Sequence, residues 1–385
     1  MIVGGAGGAS YNVVTGSLDS PIGIIGAALA VVGVFTIAAD LREVHREGTR
    51  YAFRPVKDVV NLDQIRLSDR YAGFSAFVAA GGAAVRSPAL DLALWDGLDR
   101  RFSLDERLWE LPRLPSRLLP SIMSQRQRTT DIVFDAKKVS LRTDLTVAAL
   151  APHAPRIHLQ HTTYFRGEVT NELTGRIVTE LDTGVTVYDG ISMVVTDGVL
   201  RDLEESQLSN HIGGSSLAFT SDGSLIVTRQ SAESAKEPNN LAPSGSGSAD
   251  LADARDCTTI GELALRSINR ELTEECGVGE EMIASRLCGY ARILQRGGKP
   301  DFFAISRMSK PASALRVRSH ERAFVDSHQV VPVDLEDADR LRASLRSIPD
   351  RLEGVPSFVL LLALRIVDDL LAERPDEVLA FLRGA

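Results

Sequence analysis

The chain is short of cysteine, of aromatic residues and of positive charge, and two of these shortages exclude whole classes of protein. Its 385 residues contain three cysteines, an odd number without the spacing of zinc ligands. This argues against structural disulfides and indicates a reducing compartment. Acidic residues outnumber basic ones by 51 to 43. Because nucleic acids are bound mainly through clustered Lys and Arg, we expect no nucleic-acid partner. A small phosphorylated ligand bridged by a divalent cation stays compatible with this charge.

One long uncharged run stands near the N-terminus. Residues 21–39 carry no charge, and their length is close to the roughly 20 residues that a transmembrane helix needs. Residues 1–20 contain no Lys or Arg, whereas four arginines follow the run: Arg42, Arg46, Arg50 and Arg54. We predict that residues 1–20 form a flexible N-terminus. By the positive-inside rule a spanning helix would anchor a cytoplasmic protein to the inner face of the cell membrane. Because Ala and Gly keep the run only modestly apolar, a buried helix of a globular domain is the alternative.

The region from residue 40 to 205 contains no motif that we recognise. A second apolar stretch, residues 72–85, is too short to cross a membrane alone and predicts a core helix or a helix paired with the first. From Asp131 onward apolar and polar residues alternate, which is typical of strands. We therefore predict an N-terminal α+β region of unknown fold, followed by a second domain over residues 206–385.

The second domain begins with a predicted hairpin. Two apolar runs around Ser221, Asp222 and Gly223 predict strands over residues 217–229. Residues 231–254 are rich in Ser, Gly, Asn and Pro and predict a long loop, either functional or disordered. The tail, residues 355–383, has apolar residues at helical spacing. It predicts a packing helix that closes the domain or mediates a homodimer.

The stretch between the loop and the tail contains a cluster of acidic residues on a predicted helix, residues 261–277. Thr258 or Thr259 can cap its N-terminus with Glu262 as capping-box partner, and Gly277 can end it. Glu271, Glu274 and Glu275 have the i, i+3, i+4 spacing that brings side chains together. Three adjacent carboxylates repel each other, and a hard dication relieves that repulsion. The oxygen ligands suit Mg²⁺ or Mn²⁺.

These residues also resemble a known motif. The string from Arg270 to Val278, RELTEECGV, is similar to the core of the Nudix box, Arg-Glu-aliphatic-x-Glu-Glu-x-Gly-aliphatic. Glu262 stands where the box has its upstream glutamate, and the resemblance covers roughly residues 208–335. The first glycine of the box is replaced by Asp256. A Gly-Ser stretch further upstream, residues 244–250, could take the place of the usual Gly-Gly turn near the substrate.

The resemblance to Nudix hydrolases implies a fold and an activity. It implies a C-terminal α/β/α sandwich with a mixed sheet, and Mg²⁺- or Mn²⁺-dependent hydrolysis of a nucleoside diphosphate linked to another group. Glu271, Glu274 and Glu275 would hold the metal and activate water, and Arg270 would orient a box glutamate. A nucleotide-type small molecule would be the substrate. Two candidates for a further carboxylate follow the box, Glu321 and Asp326.

Several residues are candidates for substrate binding. They are Glu262, Arg292, Arg296 and Lys299, and the last three belong to or precede the string RGGKPDFF. The structural alternative for that string is a Gly-Gly turn with Phe302 and Phe303 in the core.

Two other functions are open. Because Asp256 departs from the motif, the domain could instead bind a nucleotide such as ADP-ribose without cleaving it, and so regulate the N-terminal region. A third reading, in which the glutamates are only a charged helix face, conflicts with the intact acidic pattern.

Overall fold

The structure is a computed structural model that describes residues 49–55, 65–129, 135–232, 239–318, 322 and 324–384. The uncharged run at residues 21–39 therefore lies outside the described residues. Within them, no helix combines the length and the apolar character that crossing a membrane requires.

The chain forms sixteen strands and eight α-helices over the described residues. The strands are β1 Tyr51–Pro55, β2 Ser75–Ala79, β3 Gly82–Arg86, β4 Phe102–Asp105, β5 Lys137–Leu141, β6 Ile157–Thr163, β7 Arg176–Glu180, β8 Thr186–Asp189, β9 Val195–Thr196, β10 Val199–Leu200, β11 Gly213–Phe219, β12 Ser224–Gln230, β13 Leu241–Ser248, β14 Ile283–Ile293, β15 Lys299–Met308 and β16 Val325–Pro332. The helices are α1 Pro88–Trp95, α2 Arg113–Thr129, α3 Val147–Leu150, α4 Tyr164–Glu168, α5 Ile260–Cys276, α6 Ala338–Arg351, α7 Phe358–Glu373 and α8 Pro375–Arg383.

An eight-stranded sheet organises the molecule. Its order is β16-β12-β13-β11-β15-β14-β3-β2. Strands β11 and β15 run parallel, and the other neighbours are antiparallel, so the sheet is mixed. Smaller sheets, β1-β7-β8 and β4-β6-β5, and the β9–β10 pair lie outside it. The protein is thus a mixed α+β structure, as predicted.

Helices cover both faces of the large sheet. Leu217 and Phe219 of β11 belong to a core shared with α6, α7 and α8, whereas Ala218 between them belongs to a core shared with α5. This alternation follows from the period of two in a strand. Helix α5 therefore lies on one face, and the three C-terminal helices lie on the other.

Helix α5 agrees closely with its prediction. The Thr259 hydroxyl accepts a hydrogen bond from the backbone N–H of Glu262, while the Glu262 carboxylate accepts from the backbone of Thr259, a complete capping box. Gly277 ends the helix in the left-handed conformation at φ 66°, which a residue without a Cβ adopts at little cost. Leu272 and Ile268 face the core.

The prediction of a helix over residues 72–85 is wrong, because this stretch forms the hairpin β2–β3. Ala80 and Gly81 both have positive φ, 44° and 73°, as the two-residue turn of a hairpin requires. Strand β3 then pairs with β14, so residues before and after position 206 share one sheet. The division into domains at that position stays a prediction.

The prediction of a loop over residues 231–254 is also wrong in part. Strand β13 occupies residues 241–248 and lies between β12 and β11 in the sheet. The Ser- and Gly-rich sequence of β13 does not predict a strand, since small side chains have low strand propensity. The segment is a strand because both neighbours in the sheet form backbone hydrogen bonds with it. The small size of its side chains lets α5 approach β13 closely, because a Cβ at Gly245 would lie 2.5 Å from Cγ of Leu272.

The remaining C-terminal elements follow their predictions. Strands β14 and β15 form the hairpin expected after the box, and Phe302 and Phe303 are buried in its core. The tail is helical, but Pro375 begins a second helix, because proline fits the first turn of a helix and not its interior.

Candidate functional site

The Arg270 guanidinium is the centre of the acidic cluster. Its Nη1 lies 2.8 Å from Oε1 of Glu271 and 3.2 Å from Oε2 of Glu274. Its Nε lies 3.0 Å from Oδ1 of Asp253, and its Nη2 lies 3.6 Å from Oδ2 of Asp250. Burial would lower the pKa of Arg270, but these carboxylates, Glu271 foremost, raise it instead. One cation therefore contacts four acidic side chains.

Glu271 is the most perturbed carboxyl of the cluster. Burial raises its pKa to about 7, although Arg270 and Lys138 oppose that rise. Its carboxylate occupies the space beside Gly247 of β13, where a Cβ would overlap it. The helix and the glycine strand together therefore fix this side chain in a nearly dry position, where a carboxyl can exchange a proton near neutral pH.

Glu275 has a different environment from its two neighbours. Its Oε2 accepts a hydrogen bond from the backbone N–H of Gly245 at 2.8 Å, and its Oε1 accepts one from Ser246 at 3.3 Å. The Thr228 hydroxyl donates to Oε2 at 3.4 Å. The residue is 6% exposed. Glu275 thus joins α5 to β13 through charge-assisted hydrogen bonds.

The cluster suits a divalent cation in donor chemistry and in charge. Carboxylate oxygens and the Ser248 carbonyl oxygen are hard ligands of the kind that Mg²⁺ and Mn²⁺ take. When ionised, Asp250, Asp253, Glu271 and Glu274 place four negative charges around two cations, Arg270 and Lys138. These six side chains then carry a net charge of −2. In the described part of the chain, no three His, Cys, Asp or Glu side chains form a group that could hold a metal ion.

Three members of the cluster were not among the predicted site residues. Asp250 ends the Gly-Ser stretch and Asp253 follows it by three residues. The nearness of both aspartates to that stretch is the signal that could have identified them. Lys138 comes from β5, and its Nζ lies 2.5 Å from Oδ1 of Asp250. No spacing in the sequence connects residue 138 with residue 250, so only the tertiary structure brings them together.

The predicted substrate-binding cations lie elsewhere, in a buried polar region. Arg292 donates to the carbonyl oxygens of Gly298 and Arg201, at 2.9 and 2.8 Å. Arg296 lies 2.6 Å from Glu172. Lys299 pairs with Asp301, and burial lowers the pKa of Lys299 to about 8. These partners belong to the hairpin turn, to β15 and to the region before residue 206, and not to α5.

The other candidates also have definite positions. Glu262 serves the capping box, and its hydrogen bonds with the backbone of Thr258 and Thr259 lower its pKa. Asp326 is exposed on β16, and Glu321 lies outside the described residues. Strand β16 also places His328 opposite Thr228, where burial lowers the pKa of the imidazole. The structure therefore brings Glu271, Glu274 and Arg270 together, with Glu275 beside them.

The chain matches no known family profile and no curated protein. Among solved structures, it is similar to the DR0079 protein from Deinococcus radiodurans, with 17% identity over 40% of this chain and 82% of that one, at a TM-score of 0.28. It is also similar to a MutT protein from Methanosarcina mazei Go1, with 15% identity over 42% and 94% of the two chains, at a TM-score of 0.26. A Nudix hydrolase from M. smegmatis, RenU, has 12% identity over 43% and 88%, at a TM-score of 0.28. Identities and TM-scores this low establish neither activity nor substrate.

Proposed function

We propose that this chain is a Nudix-type pyrophosphohydrolase, which uses Mg²⁺ or Mn²⁺ to hydrolyse a nucleoside diphosphate linked to another group. Its fold would be the α/β/α sandwich of that family, extended by the strands that precede residue 206. The substrate would be a nucleotide-type small molecule. The membrane anchor at residues 21–39 and the homodimer stay predictions.

The observation that carries the proposal is the position of the Nudix-box carboxylates against the glycine strand. Glu271 and Glu274 stand on one turn of α5 beside a backbone carbonyl, that of Ser248, which accepts from Arg270 at 3.2 Å. Around them, the four carboxylates exceed the two cations, Arg270 and Lys138, by two charges when all are ionised. A stable protein gains nothing from such an excess in a half-buried site unless a cation binds there.

The residues of the chain would divide the work. Glu271 and Glu274 would hold the cation, and Arg270 would orient both carboxylates, as its two contacts from Nη1 indicate. When bound, Mg²⁺ or Mn²⁺ would supply the positive charge that holds a diphosphate and lowers the pKa of a water. One of the box carboxylates would accept the proton of that water.

A second function, binding without hydrolysis, is favoured by one specific observation. The oxygens of Glu275 accept hydrogen bonds from backbone N–H groups, and Oε1 of Glu271 and Oε2 of Glu274 contact Arg270. If these contacts persist when a nucleotide binds, the domain would recognise a ligand such as ADP-ribose and regulate the N-terminal region.

Hydrolysis can be measured directly on a panel of nucleoside diphosphate compounds, ADP-ribose included, with Mg²⁺ or Mn²⁺. We expect turnover by the wild-type chain and a loss of at least about 100-fold in Glu271→Gln and Glu274→Gln, because each removes a charge that is preorganised for the reaction. Glu281→Gln is the matched control, since Glu281 is an exposed carboxylate just beyond α5.

The outcomes separate the two functions. Turnover that survives in both box variants would exclude the proposed site. Saturable binding of a panel member without any turnover by the wild type would instead support the binding module.

A further inference from the structure

Backbone pairing carries Lys138 into the acidic cluster. Strand β5 lies alongside the residues that follow β13: Val139 donates its N–H to the carbonyl of Ala249 at 3.1 Å, and Leu251 donates to Lys137 at 2.9 Å. Lys138 and Asp250 face each other in an antiparallel bridge between these two hydrogen bonds. The position of Lys138 is therefore set by strand register and not by the freedom of a long side chain.

Lys138 shares its partners with Arg270. Its Nζ donates to the Ser248 carbonyl at 3.2 Å and lies 2.5 Å from Oδ1 of Asp250. Arg270 donates to the same carbonyl and lies 3.6 Å from the other oxygen of Asp250. The Lys138 side chain is 11% exposed. Two cations thus hold one carbonyl and one carboxylate between them at the edge of the cluster.

This arrangement keeps hard oxygen ligands away from a dication. A fixed positive charge repels Mg²⁺ or Mn²⁺ nearby, and at low solvent exposure that repulsion is screened less than at the surface. Asp250, while paired with Lys138, is also not free to join Glu271 and Glu274.

We propose that Lys138 is a positioning residue of the site: it holds Asp250 and the Ser248 carbonyl and acts as a fixed counterion that limits the affinity for divalent cations. The proposal rests on the proposed function, because it assumes that Glu271 and Glu274 bind the cation. It assigns to the region before residue 206 a direct electrostatic contribution to the site.

Calorimetric titration of the full chain with Mn²⁺ alone, without substrate, tests this role. In Lys138→Met the repulsion is lost and Asp250 is released, so we expect Mn²⁺ to bind on the order of 10-fold more tightly than in the wild type. Lys138→Arg keeps the charge and should retain wild-type affinity. A purely structural lysine would give unchanged or weaker binding in Lys138→Met.

Lys138→Gln keeps the proposal testable if the methionine variant does not fold, since it retains hydrogen-bonding atoms but no charge, and it should also bind Mn²⁺ more tightly. In the double variant Lys138→Gln with Asp250→Asn the gain in Mn²⁺ affinity should disappear. The released side chain at position 250 then carries no charge, so the effects of the two substitutions are not independent. If the wild type and the charge-free variants bind Mn²⁺ with equal affinity, the role of Lys138 is overturned while the proposed cation site still stands. Mn²⁺ uptake that is unaffected by Glu271→Gln and Glu274→Gln would overturn the proposed cation site instead.

Discussion

At the scale of single residues, three glutamates of one motif have three different surroundings. Glu274 is about a quarter exposed and contacts Arg270. Glu271 is nearly dry and has a raised pKa, whereas Glu275 is buried on backbone N–H groups. The same side chain type therefore differs in exposure and in partners, depending on which face of α5 it occupies.

We expect Glu275→Gln to destabilise the fold more than Glu274→Gln does. The glutamine amide would keep one acceptor oxygen but would turn an NH₂ group toward the N–H groups of Gly245 and Ser246. Losing charge-assisted hydrogen bonds in a buried site costs about 2 kcal/mol, while the change at the more exposed Glu274 should be within about 0.5 kcal/mol. Urea denaturation followed by circular dichroism measures both. Equal midpoints would show that the contacts of Glu275 with β13 do not stabilise the protein.

At the scale of elements, the pairing of α5 with β13 forms the site. Gly247 leaves room for the carboxylate of Glu271, and Gly245 leaves room for the side chain of Leu272. Gly245 itself has a left-handed backbone conformation, with φ 64°. The strand approaches the helix at both glycines, but the contacts differ. Gly247 lies against the end of the flexible Glu271 side chain, whereas Gly245 lies against the branched core residue Leu272. Replacing each glycine should therefore have a different effect.

We expect Gly247→Ala to impair the site with little loss of stability, since the carboxylate of Glu271 can swing away from the new methyl group. Gly245→Ala should instead cost about 1–3 kcal/mol, because an L-residue is strained at that φ and would press on Leu272. Gly247→Ala should thus weaken Mn²⁺ binding with little change in the urea midpoint. Gly245→Ala should mainly lower the urea midpoint. Similar losses of stability in both would contradict the separate roles of the two glycines.

At the scale of the whole molecule, the box helix is covered partly by residues that precede position 206. Nine apolar residues of the core around α5 belong to that region, from Leu90 to Leu203. Strands β2 and β3 extend the large sheet beyond β14. The C-terminal unit is therefore not closed by its own residues.

A fragment of residues 206–385 should consequently fail to fold by itself. Each buried large apolar side chain contributes about 1.5–3 kcal/mol, so the loss of nine, about 14–27 kcal/mol, reaches or exceeds the whole net stability of a protein, about 5–15 kcal/mol. Far-UV circular dichroism and amide-proton dispersion by NMR would show this, with the full chain as control. A fragment with a cooperative unfolding transition would support independent domains.

The sequence by itself determined the local features of the site. The capping box at Thr259 and Glu262 and the left-handed Gly277 follow from interactions within a few residues of one another, and the structure has them where they were predicted. The carboxylates at i, i+3 and i+4 lie on that helix, but only Glu271 and Glu274 contact one guanidinium, whereas Glu275 binds the backbone of β13. The hairpin β11–β12 follows equally from its turn residues and apolar pattern. Local hydrogen bonding and side-chain periodicity are sufficient for these elements.

Only the tertiary structure decided the remainder. A Gly- and Ser-rich segment became the central strand β13 because its neighbours supply hydrogen bonds and α5 needs close approach. Arg292, Arg296 and Lys299 found buried acidic or carbonyl partners. Lys138 joined Asp250 across 112 positions of sequence. Such contacts depend on which strands pair and in which register, and long-range pairing leaves no spacing for a sequence pattern to reveal.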